Sequence, residues 1–192
     1  MKPLRISYVD EASLTDPAMR QEFERARREG TPRIESHAMR AHVPAVFWSF
    51  VNTWNDVFRQ GVVEHSLKEL CRVYVSRSVK CDYCGHQRSV AARRAGVVEE
   101  DYRDLLDFER STRYSERQKA ALALAEAITW DRDTDDEFWG RLRRQVSEAE
   151  IVELGYFIGF TMGQQRFNRL LNMDENPVGA AAQVPSSEES NR

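Results

Sequence analysis

Two of the three cysteines in this 192-residue chain stand three positions apart, in the segment VKCDYCGHQRS (79–89). If this segment is helical, Cys81 and Cys84 lie on one side of a turn, close enough for a disulfide, and the free N–H groups of a helix start favour the thiolate. A thiolate that attacks a peroxide O–O bond becomes a sulfenic acid, which a neighbouring thiol converts to a disulfide. The spacing therefore permits a thiol redox cycle that needs only an external dithiol as reductant.

Two other interpretations of the pair remain open from spacing alone. A closed zinc site needs four ligands, usually from two Cys-x-x-Cys or Cys/His pairs. Here Cys71 with His65 or His86 would have to complete the set, and because no second pair stands in the sequence we predict no metal. Alternatively, both cysteines are buried residues without a reaction, since cysteine behaves as a small apolar side chain.

Charged and basic residues close to the pair could assist its chemistry. Arg88 follows Cys84 by four residues and Cys81 by seven, so in a continuous helix it shares their face and could hold a thiolate or an anionic substrate. His86 points to the other side of such a helix. It reaches the thiols only if the first turn is irregular.

The elements that must position these residues are predicted to be helices. Patterns with helical period recur along the chain and strand patterns do not. A charged helix is expected after Asp16-Pro17, ending at Gly30. Pro44 should begin the next helix and Gly61 end it. Its apolar stripe is either core or the wall of an apolar pocket, and comprises Phe47, Phe50, Val51, Trp54 and Phe58.

The remaining helices follow from spacing and capping signatures. A third helix is expected over about 63–79 with Glu69 beside its inner face, and a fourth follows the Cys-x-x-Cys, runs through Ala91 and Ala92 and ends at Gly96. A charged helix or turn is expected near 98–109, and capping-box signatures predict three later helix starts, at Ser115/Gln118, Thr134/Glu137 and Ser147/Glu150. The last helix carries glycines at 155, 159 and 163, a row that would permit close approach of another helix. We expect one all-α domain over 1–174, with a charged N-terminal helix in 1–30, and a disordered tail over 175–192.

The composition argues against several classes of function. The 28 basic and 31 acidic residues are interspersed and give a net charge of −3, so no face for nucleic acid or a membrane surface stands out. The chain opens without a signal-peptide pattern and contains no long apolar run. These features predict a cytoplasmic protein whose cysteines are reduced.

The segment LKELCRVYVSRSVKCDYCGHQRSV (67–90) resembles the carboxymuconolactone decarboxylase and alkylhydroperoxidase D-like superfamily, whose peroxidase members carry Glu-x11-Cys-x2-Cys-x3-His. Glu69 stands twelve positions before Cys81 and Cys84 follows three later, so three of the four motif positions match. The similarity extends to PAVFWSFVNTWNDVF, SERQKAALALAEAIT and IVELGYFIGF...RFNRLLNM, so the family-like core covers about 35–174.

This resemblance implies an alkylhydroperoxidase D-like helical bundle that forms a homo-oligomer and uses no organic cofactor. By position, Cys84 would be the peroxidatic thiol, Cys81 the resolving thiol and Glu69 the proton acceptor. Arg88 occupies the histidine position of the motif, and arginine stabilises an anion but does not accept a proton near neutral pH. Tyr83, between the cysteines, does not replace it as a base. General base help is worth about 10²–10⁴ in rate, so a slow peroxidase is expected.

Two details bear on this expectation. A glutamate three residues before an arginine, as Glu69 stands before Arg72, commonly forms an exposed helix pair worth about 0.2–0.5 kcal/mol. Either Glu69 accepts the thiol proton without the help of a histidine, or His86 or His65 relays that proton from another direction. Otherwise the dithiol serves a different reaction.

Three functions follow from these residues and this resemblance. The first is a thiol-dependent peroxidase or disulfide reductase that acts on small hydroperoxides in an antioxidant role and is recharged by a dithiol protein. The second is a decarboxylase-like enzyme for a small carboxylated lactone or organic acid, with Arg88 on the carboxylate and Phe47 and Trp54 in an apolar pocket wall. The third is a non-catalytic helical redox or binding module, which the missing histidine favours.

Overall fold

The computed structural model describes residues 2–173 and 176–178, and this part of the chain is helical and without strands, which confirms the predicted all-α fold. The predicted tail over 175–192 lies outside the described residues except for 176–178. The α-helices in chain order are α1 Pro17–Glu29, α2 Ile34–Arg40, α3 Pro44–Thr53, α4 His65–Ser78, α5 Asp82–Gly85, α6 Val90–Arg94, α7 Glu99–Arg103, α8 Glu116–Trp130, α9 Asp136–Gln145 and α10 Glu148–Leu170.

Helix α1 begins and ends where the sequence predicts. The Asp16 carboxylate accepts a hydrogen bond from the backbone N–H of Ala18 at 2.8 Å, and Pro17 occupies the first helical position. Gly30 ends the helix with φ at +73°. A Cβ atom at this position would lie 2.5 Å from the carbonyl oxygen of Arg88. The glycine therefore lets the end of α1 pack against the loop that follows the cysteine pair.

Helix α4 lies at the centre of the fold, buried along nearly its whole length between α8 and α10. Its apolar residues join the inner faces of those two helices in one hydrophobic core. The predicted capping boxes of Ser115 with Gln118 and Ser147 with Glu150 are both present at the starts of α8 and α10. These starts fix where α8 and α10 lie against α4, which carries Glu69.

A second, aromatic core lies between α1, α2 and α3 and includes Phe23, Phe47, Phe50 and Trp54. Helix α3 continues into a π-helical turn, Trp54–Arg59, which the sequence patterns did not predict. Contacts with other helices hold this part of the chain. The buried Lys68 ammonium group donates to the carbonyls of Val57 and Gln60 at the end of the turn and to the Glu153 carboxylate at 2.7 Å.

The structure departs from the predicted elements at three further places. Helix α2 was not predicted, and two short helices, α5 and α6, separated by a loop over 86–89, stand where the cysteine segment and the fourth helix were expected. The start of α9 is capped by Asp135, whose carboxylate accepts from the Phe138 N–H, rather than by Thr134. In the described residues, Cβ atoms built at Gly155, Gly159 and Gly163 meet nothing within 4 Å. Close approach by another helix at this row, and the homo-oligomer, stay predictions.

Candidate functional site

The cysteine pair lies at the junction of α4 and α5 and forms a disulfide. After α4 ends, Lys80 adopts a left-handed backbone with φ at +56°, and the Cys81 N–H returns to the Ser76 carbonyl at 2.9 Å. Cys81 thus stands at the N-cap of α5, and its Cα lies 5.3 Å from that of Cys84, a normal separation for a disulfide. The sequence predicted reduced thiols. The structure instead has this pair oxidised and only Cys71, fully buried, as a free thiol among the described residues.

A small cavity lies beside the disulfide, and Cys84 lines it while Cys81 does not. Its volume is about 20 Å³. A single water needs roughly 10–15 Å³, so the cavity suits a molecule of about that size without side-chain movement. The lining comes from five parts of the chain and consists of Ser36, Phe50, Trp54, Arg72, Cys84, Gln87, Thr161, Gln164, Gln165 and Asn168.

Glu69 and Arg72 form a fully buried ion pair behind this cavity. The guanidinium Nε donates to one carboxylate oxygen at 2.7 Å and Nη2 to the other at 2.9 Å, with side-chain exposures of 2% for Arg72 and 0% for Glu69. The backbone N–H of Ser89 is a further donor to Glu69, at 3.0 Å. The interpretation of Glu69 as half of an exposed helix pair was therefore wrong, because the pair forms at the predicted spacing but lies inside the core.

Arg72 extends the pair to the cysteine loop. Its Nη1 donates to the Cys84 carbonyl at 2.8 Å, and its Nη2 also donates to the Gln87 carbonyl at 2.8 Å. A guanidinium has five N–H donors, two of them on Nη1. In the part of the chain that the structure describes, the second Nη1 donor has no hydrogen-bond acceptor, and Arg72 lines the cavity. Sequence reasoning considered Arg72 only as the partner of Glu69 in an exposed helix pair and missed this position.

Helix α10 supplies the wall that faces Arg72. Thr161, Gln165 and Asn168 are buried and lie at helical spacing on one face of a mostly apolar helix. Gln165 Nε2 donates to the Thr161 hydroxyl and to the Arg72 carbonyl, and Asn168 Nδ2 contacts the Cys84 sulfur at 3.7 Å. These residues were not predicted. The available signal in the sequence was a row of polar side chains at helical spacing in α10. Only the packing of α10 against α4 shows that this row is buried.

Arg88 does not line the cavity. Its Nε donates to the Glu99 carboxylate at 2.8 Å, its guanidinium lies 4.2 Å from the Tyr102 ring centre, and Nη1 donates to the carbonyls of Gly85 and Gln87. The prediction that Arg88 shares a helical face with Cys84 assumed a continuous helix. Because α5 ends at Gly85, the helical spacing does not extend to Arg88, and its side chain lies over Tyr102 instead.

The two histidines considered as proton relays lie apart from the sulfurs. His65 donates from Nδ1 to the Phe58 carbonyl at 2.8 Å, which leaves Nε2 to accept from the Ser89 hydroxyl at 2.7 Å. Burial lowers the His65 pKa below its ordinary value, so the ring is neutral at pH 7. His86 is exposed at the end of α5. Neither residue lines the cavity.

The aromatic residues predicted to form a pocket wall divide into two groups. Trp54 and Phe50 line the cavity with ring centres 5.4 Å apart, and Trp54 Nε1 donates to the Thr31 carbonyl at 3.2 Å. Phe47 is fully buried in the aromatic core and does not reach the cavity. Tyr83 does not line the cavity; its hydroxyl donates to the Glu35 carboxylate at 3.3 Å, and burial raises the Tyr83 pKa above its ordinary value.

Two further features bear on the remaining alternatives. Within residues 2–173 and 176–178, no three His, Cys, Asp or Glu side chains gather as metal ligands would, so the zinc interpretation has no ligand set there. In the same residues no helix combines the length and apolar character that a membrane span requires.

Solved structures with the same fold include proteins described as a debrominase and as peroxidase-related. A variant of the debrominase Bmp8 in complex with 2,3,4-tribromopyrrole superposes with a TM-score of 0.74 at 20% identity, covering 88% of this chain and 89% of that one. An uncharacterized peroxidase-related protein from Silicibacter sp. gives 0.71 at 19% identity, covering 90% and 93%. An alkylhydroperoxidase AhpD core protein from Ralstonia eutropha gives 0.69 at 15% identity, covering 90% and 92%. At these identities the likeness establishes the alkylhydroperoxidase D-like fold.

Sequence comparison identifies the family. The uncharacterized protein YdfG of Bacillus subtilis (strain 168) is 30% identical over 98 residues, which are 50% of this chain and 67% of that protein. Residues 44–127, which contain Glu69, Arg72 and both cysteines of the pair, match the model of the Carboxymuconolactone decarboxylase family. The chain belongs to the carboxymuconolactone decarboxylase family.

Proposed function

We propose that the protein is a thiol-dependent reductase of small hydroperoxides, with Cys84 as the attacking thiol and Cys81 as the resolving thiol. One observation carries the proposal: the two cysteines are joined in a disulfide, and only Cys84 borders the cavity. The cavity's volume of about 20 Å³ suits hydrogen peroxide or the peroxide end of a small organic hydroperoxide.

The cycle balances with the two cysteines and one external dithiol. The Cys84 sulfur attacks the hydroxyl-bearing oxygen of the hydroperoxide, an S–O bond forms, the O–O bond breaks, and the leaving oxygen takes the thiol's proton to become an alcohol or water. The Cys81 thiol then attacks the sulfenic sulfur and releases water as the disulfide forms. A dithiol protein returns two electrons and two protons.

Arg72 and Asn168 are the groups placed to assist Cys84. The free Nη1 donor of Arg72 and the Nδ2 of Asn168, at 3.7 Å from the sulfur, are hydrogen-bond donors that favour negative charge on the thiolate and on the leaving oxygen. Because Glu69 neutralises Arg72, this assistance comes from oriented N–H groups rather than from net charge.

Glu69 acts through Arg72 in this proposal and not as a base on the thiol. Both of its oxygens accept from Arg72, one also accepts from the Ser89 N–H, and Glu69 does not line the cavity. Arg88 cannot accept a proton and bonds to Glu99 instead. Without a positioned base, a rate about 10²–10⁴ below that of a peroxidase with general base catalysis is expected.

A second reaction is favoured by the aromatic wall of the cavity. The debrominase Bmp8 shares the fold over 88% of this chain, and Phe50 and Trp54 present two rings beside Cys84. Thiolate attack on a ring bromine would break the C–Br bond and form S–Br, the ring carbon would take a proton, and the Cys81 thiol would then displace bromide to form the disulfide. A brominated ring exceeds the present cavity, so this reaction requires movement of Phe50 or Gln164.

The decarboxylase interpretation depended on Arg88 for carboxylate binding. The Arg88 guanidinium is bonded to Glu99 and lies outside the cavity lining, and the charge of Arg72, which does line the cavity, is already paired with Glu69. We therefore place hydroperoxide reduction first and the debromination reaction second.

The experiment uses pre-reduced protein and its Cys84→Ser variant. Each is mixed with tert-butyl hydroperoxide, and free thiols and remaining peroxide are counted over time, with 2,3,4-tribromopyrrole and bromide release as a parallel assay. The proposal predicts loss of two thiols for each hydroperoxide consumed by the wild type and no accelerated consumption by the variant. Equal consumption by both proteins would exclude it, and bromide release without peroxide consumption would favour the second reaction.

A further inference from the structure

Two buried amide oxygens belong to residues that line the cavity beside Cys84. Gln165 Oε1 and Asn168 Oδ1 accept no hydrogen bond from any donor in residues 2–173 and 176–178, although the two residues are only 3% and 5% exposed. Both residues line the same cavity. Buried polar atoms in proteins nearly always have a partner, so two adjacent acceptors without one require an explanation.

The orientation of each amide follows from its own N–H groups. Gln165 Nε2 uses both of its donors, on the Thr161 hydroxyl at 2.9 Å and the Arg72 carbonyl at 3.1 Å, so its oxygen is the atom left over. Asn168 directs Nδ2 to the Cys84 sulfur at 3.7 Å, which turns Oδ1 away from that sulfur.

Gln164, in the same cavity lining, has an amide oxygen that does accept a hydrogen bond. Its Oε1 accepts from Arg40, whose guanidinium also donates to the Ser36 carbonyl at 2.8 Å and lies 3.9 Å from the Phe50 ring centre. The described part of the chain therefore supplies a donor for one lining amide oxygen and for neither of the other two. Those two select a ligand that donates hydrogen bonds.

We propose that Gln165 and Asn168 form an acceptor subsite that binds the O–H group of the substrate and so places its hydroxyl-bearing oxygen beside the Cys84 sulfur. The inference rests on the proposed hydroperoxide reductase function and specifies its substrate as the protonated hydroperoxide. Asn168 contacts both partners, since its N–H group meets the sulfur and its carbonyl meets the substrate. The S–O bond then forms at the oxygen that the subsite holds, the O–O bond breaks, and the thiol's proton ends on the leaving oxygen.

The variant Gln165→Met tests the subsite with little disturbance elsewhere. It keeps the length of the side chain and removes Oε1, and the Arg72 carbonyl that loses the Gln165 N–H keeps the Ser76 hydroxyl at 2.8 Å. Pre-reduced wild type and variant are reacted separately with hydrogen peroxide and with methyl methanethiosulfonate, a small thiol reagent that has no N–H or O–H group. Mass spectrometry after alkylation of the remaining thiols follows the loss of reduced Cys84 with each reagent.

The proposal predicts that Gln165→Met reacts with hydrogen peroxide about 3- to 10-fold more slowly, the worth of one neutral hydrogen bond, while its reaction with methyl methanethiosulfonate stays within about twofold. Asn168→Leu, which loses the acceptor and the N–H contact to sulfur together, should slow both reactions. Equal slowing of both reagents by Gln165→Met, or no slowing of either, would overturn the subsite.

A wild type that reacts with methyl methanethiosulfonate but not with hydrogen peroxide would show instead that the proposed function is wrong. The subsite is then tested by a crystal structure of the reduced protein. A bound water or other donor within hydrogen-bond distance of both Gln165 Oε1 and Asn168 Oδ1 would support it. A protein donor on either oxygen would overturn it.

Discussion

Two glutamate–arginine pairs flank the cysteine loop, and they differ in what surrounds them. Glu69 with Arg72 is buried at 0% and 2% side-chain exposure and makes further bonds to backbone groups of the loop. Glu99 with Arg88 is 67% and 20% exposed. Arg88 holds the motif position expected for chemistry, yet Arg72 lines the cavity. Position in a sequence motif and position at the site are therefore separate properties, and the path of the backbone decides the second.

The largest expected effect comes from breaking the buried pair. Glu69→Gln keeps the shape of the side chain and removes its charge, so Arg72 is left as a buried cation without a counter-charge. The free energy of unfolding should fall by about 3–5 kcal/mol. Denaturant unfolding followed by circular dichroism measures this. A loss below about 1 kcal/mol would mean that the pair behaves like a surface pair.

Replacing both Glu69 and Arg72 should lower the free energy of unfolding by less than the sum of the two single replacements. Arg72→Met in the Glu69→Gln background takes away the uncompensated charge, and the coupling energy from the four unfolding measurements should be about 1–3 kcal/mol. Additive single effects, within about 0.5 kcal/mol, would contradict direct interaction of the two side chains.

His37 tests what burial does to a titratable group that has no ion-pair partner among the residues that the structure describes. It is 2% exposed among Phe23, Phe47 and Phe50, and burial lowers its pKa to about 3, with the positive charges of Arg40, Arg59 and Arg25 acting in the same direction. Below about pH 6.5 the His37 ring is protonated in the unfolded chain but stays neutral in the folded protein. Stability is therefore fully present above pH 6.5 and falls toward pH 3.

The measurement for His37 is the pH dependence of unfolding between pH 7 and pH 5. Below pH 6.5 the His37 contribution should fall by about 1.4 kcal/mol for each pH unit. The buried His65 adds a loss of the same sign, so the comparison is with His37→Leu, which should have the shallower dependence. Parallel curves for the two proteins would show that His37 is protonated in the fold.

The smallest expected effect comes from the exposed pair. Glu99→Gln is the same chemical change as Glu69→Gln, but water and salt screen the Arg88 charge that it leaves behind. Unfolding free energy should change by about 1 kcal/mol or less, and the KM for hydroperoxide should stay within about twofold. A cost equal to that of Glu69→Gln would remove the distinction between the two pairs.

The sequence predicted the fold well because its signals are local. Capping at Asp16, Ser115 and Ser147 and the helical spacing of apolar residues need no knowledge of distant contacts. The π-helical turn of Trp54–Arg59 was missed because the Lys68 ammonium group that holds its carbonyls comes from another helix. Spacing also gave the cysteine pair that the structure joins.

The candidate site was predicted only in part, for the same physical reason. Arg88 was assigned to the face of Cys84 on the assumption of a continuous helix, which ends at Gly85. Gln165 and Asn168 come from α10, about 80 residues later in the chain, and reach the cavity only through packing of α10 on α4. Residues assembled by tertiary packing carry no local signal of their partners.

The central claim is that Cys84, which borders the cavity, reacts before Cys81. The most direct measurement treats pre-reduced Cys81→Ser and Cys84→Ser proteins with one equivalent of hydroperoxide in the presence of dimedone, which captures sulfenic acid, and locates the adduct by mass spectrometry. The account predicts an adduct on Cys84 in the first protein and none on Cys81 in the second. An adduct on Cys81 formed as fast as that on Cys84 would contradict it.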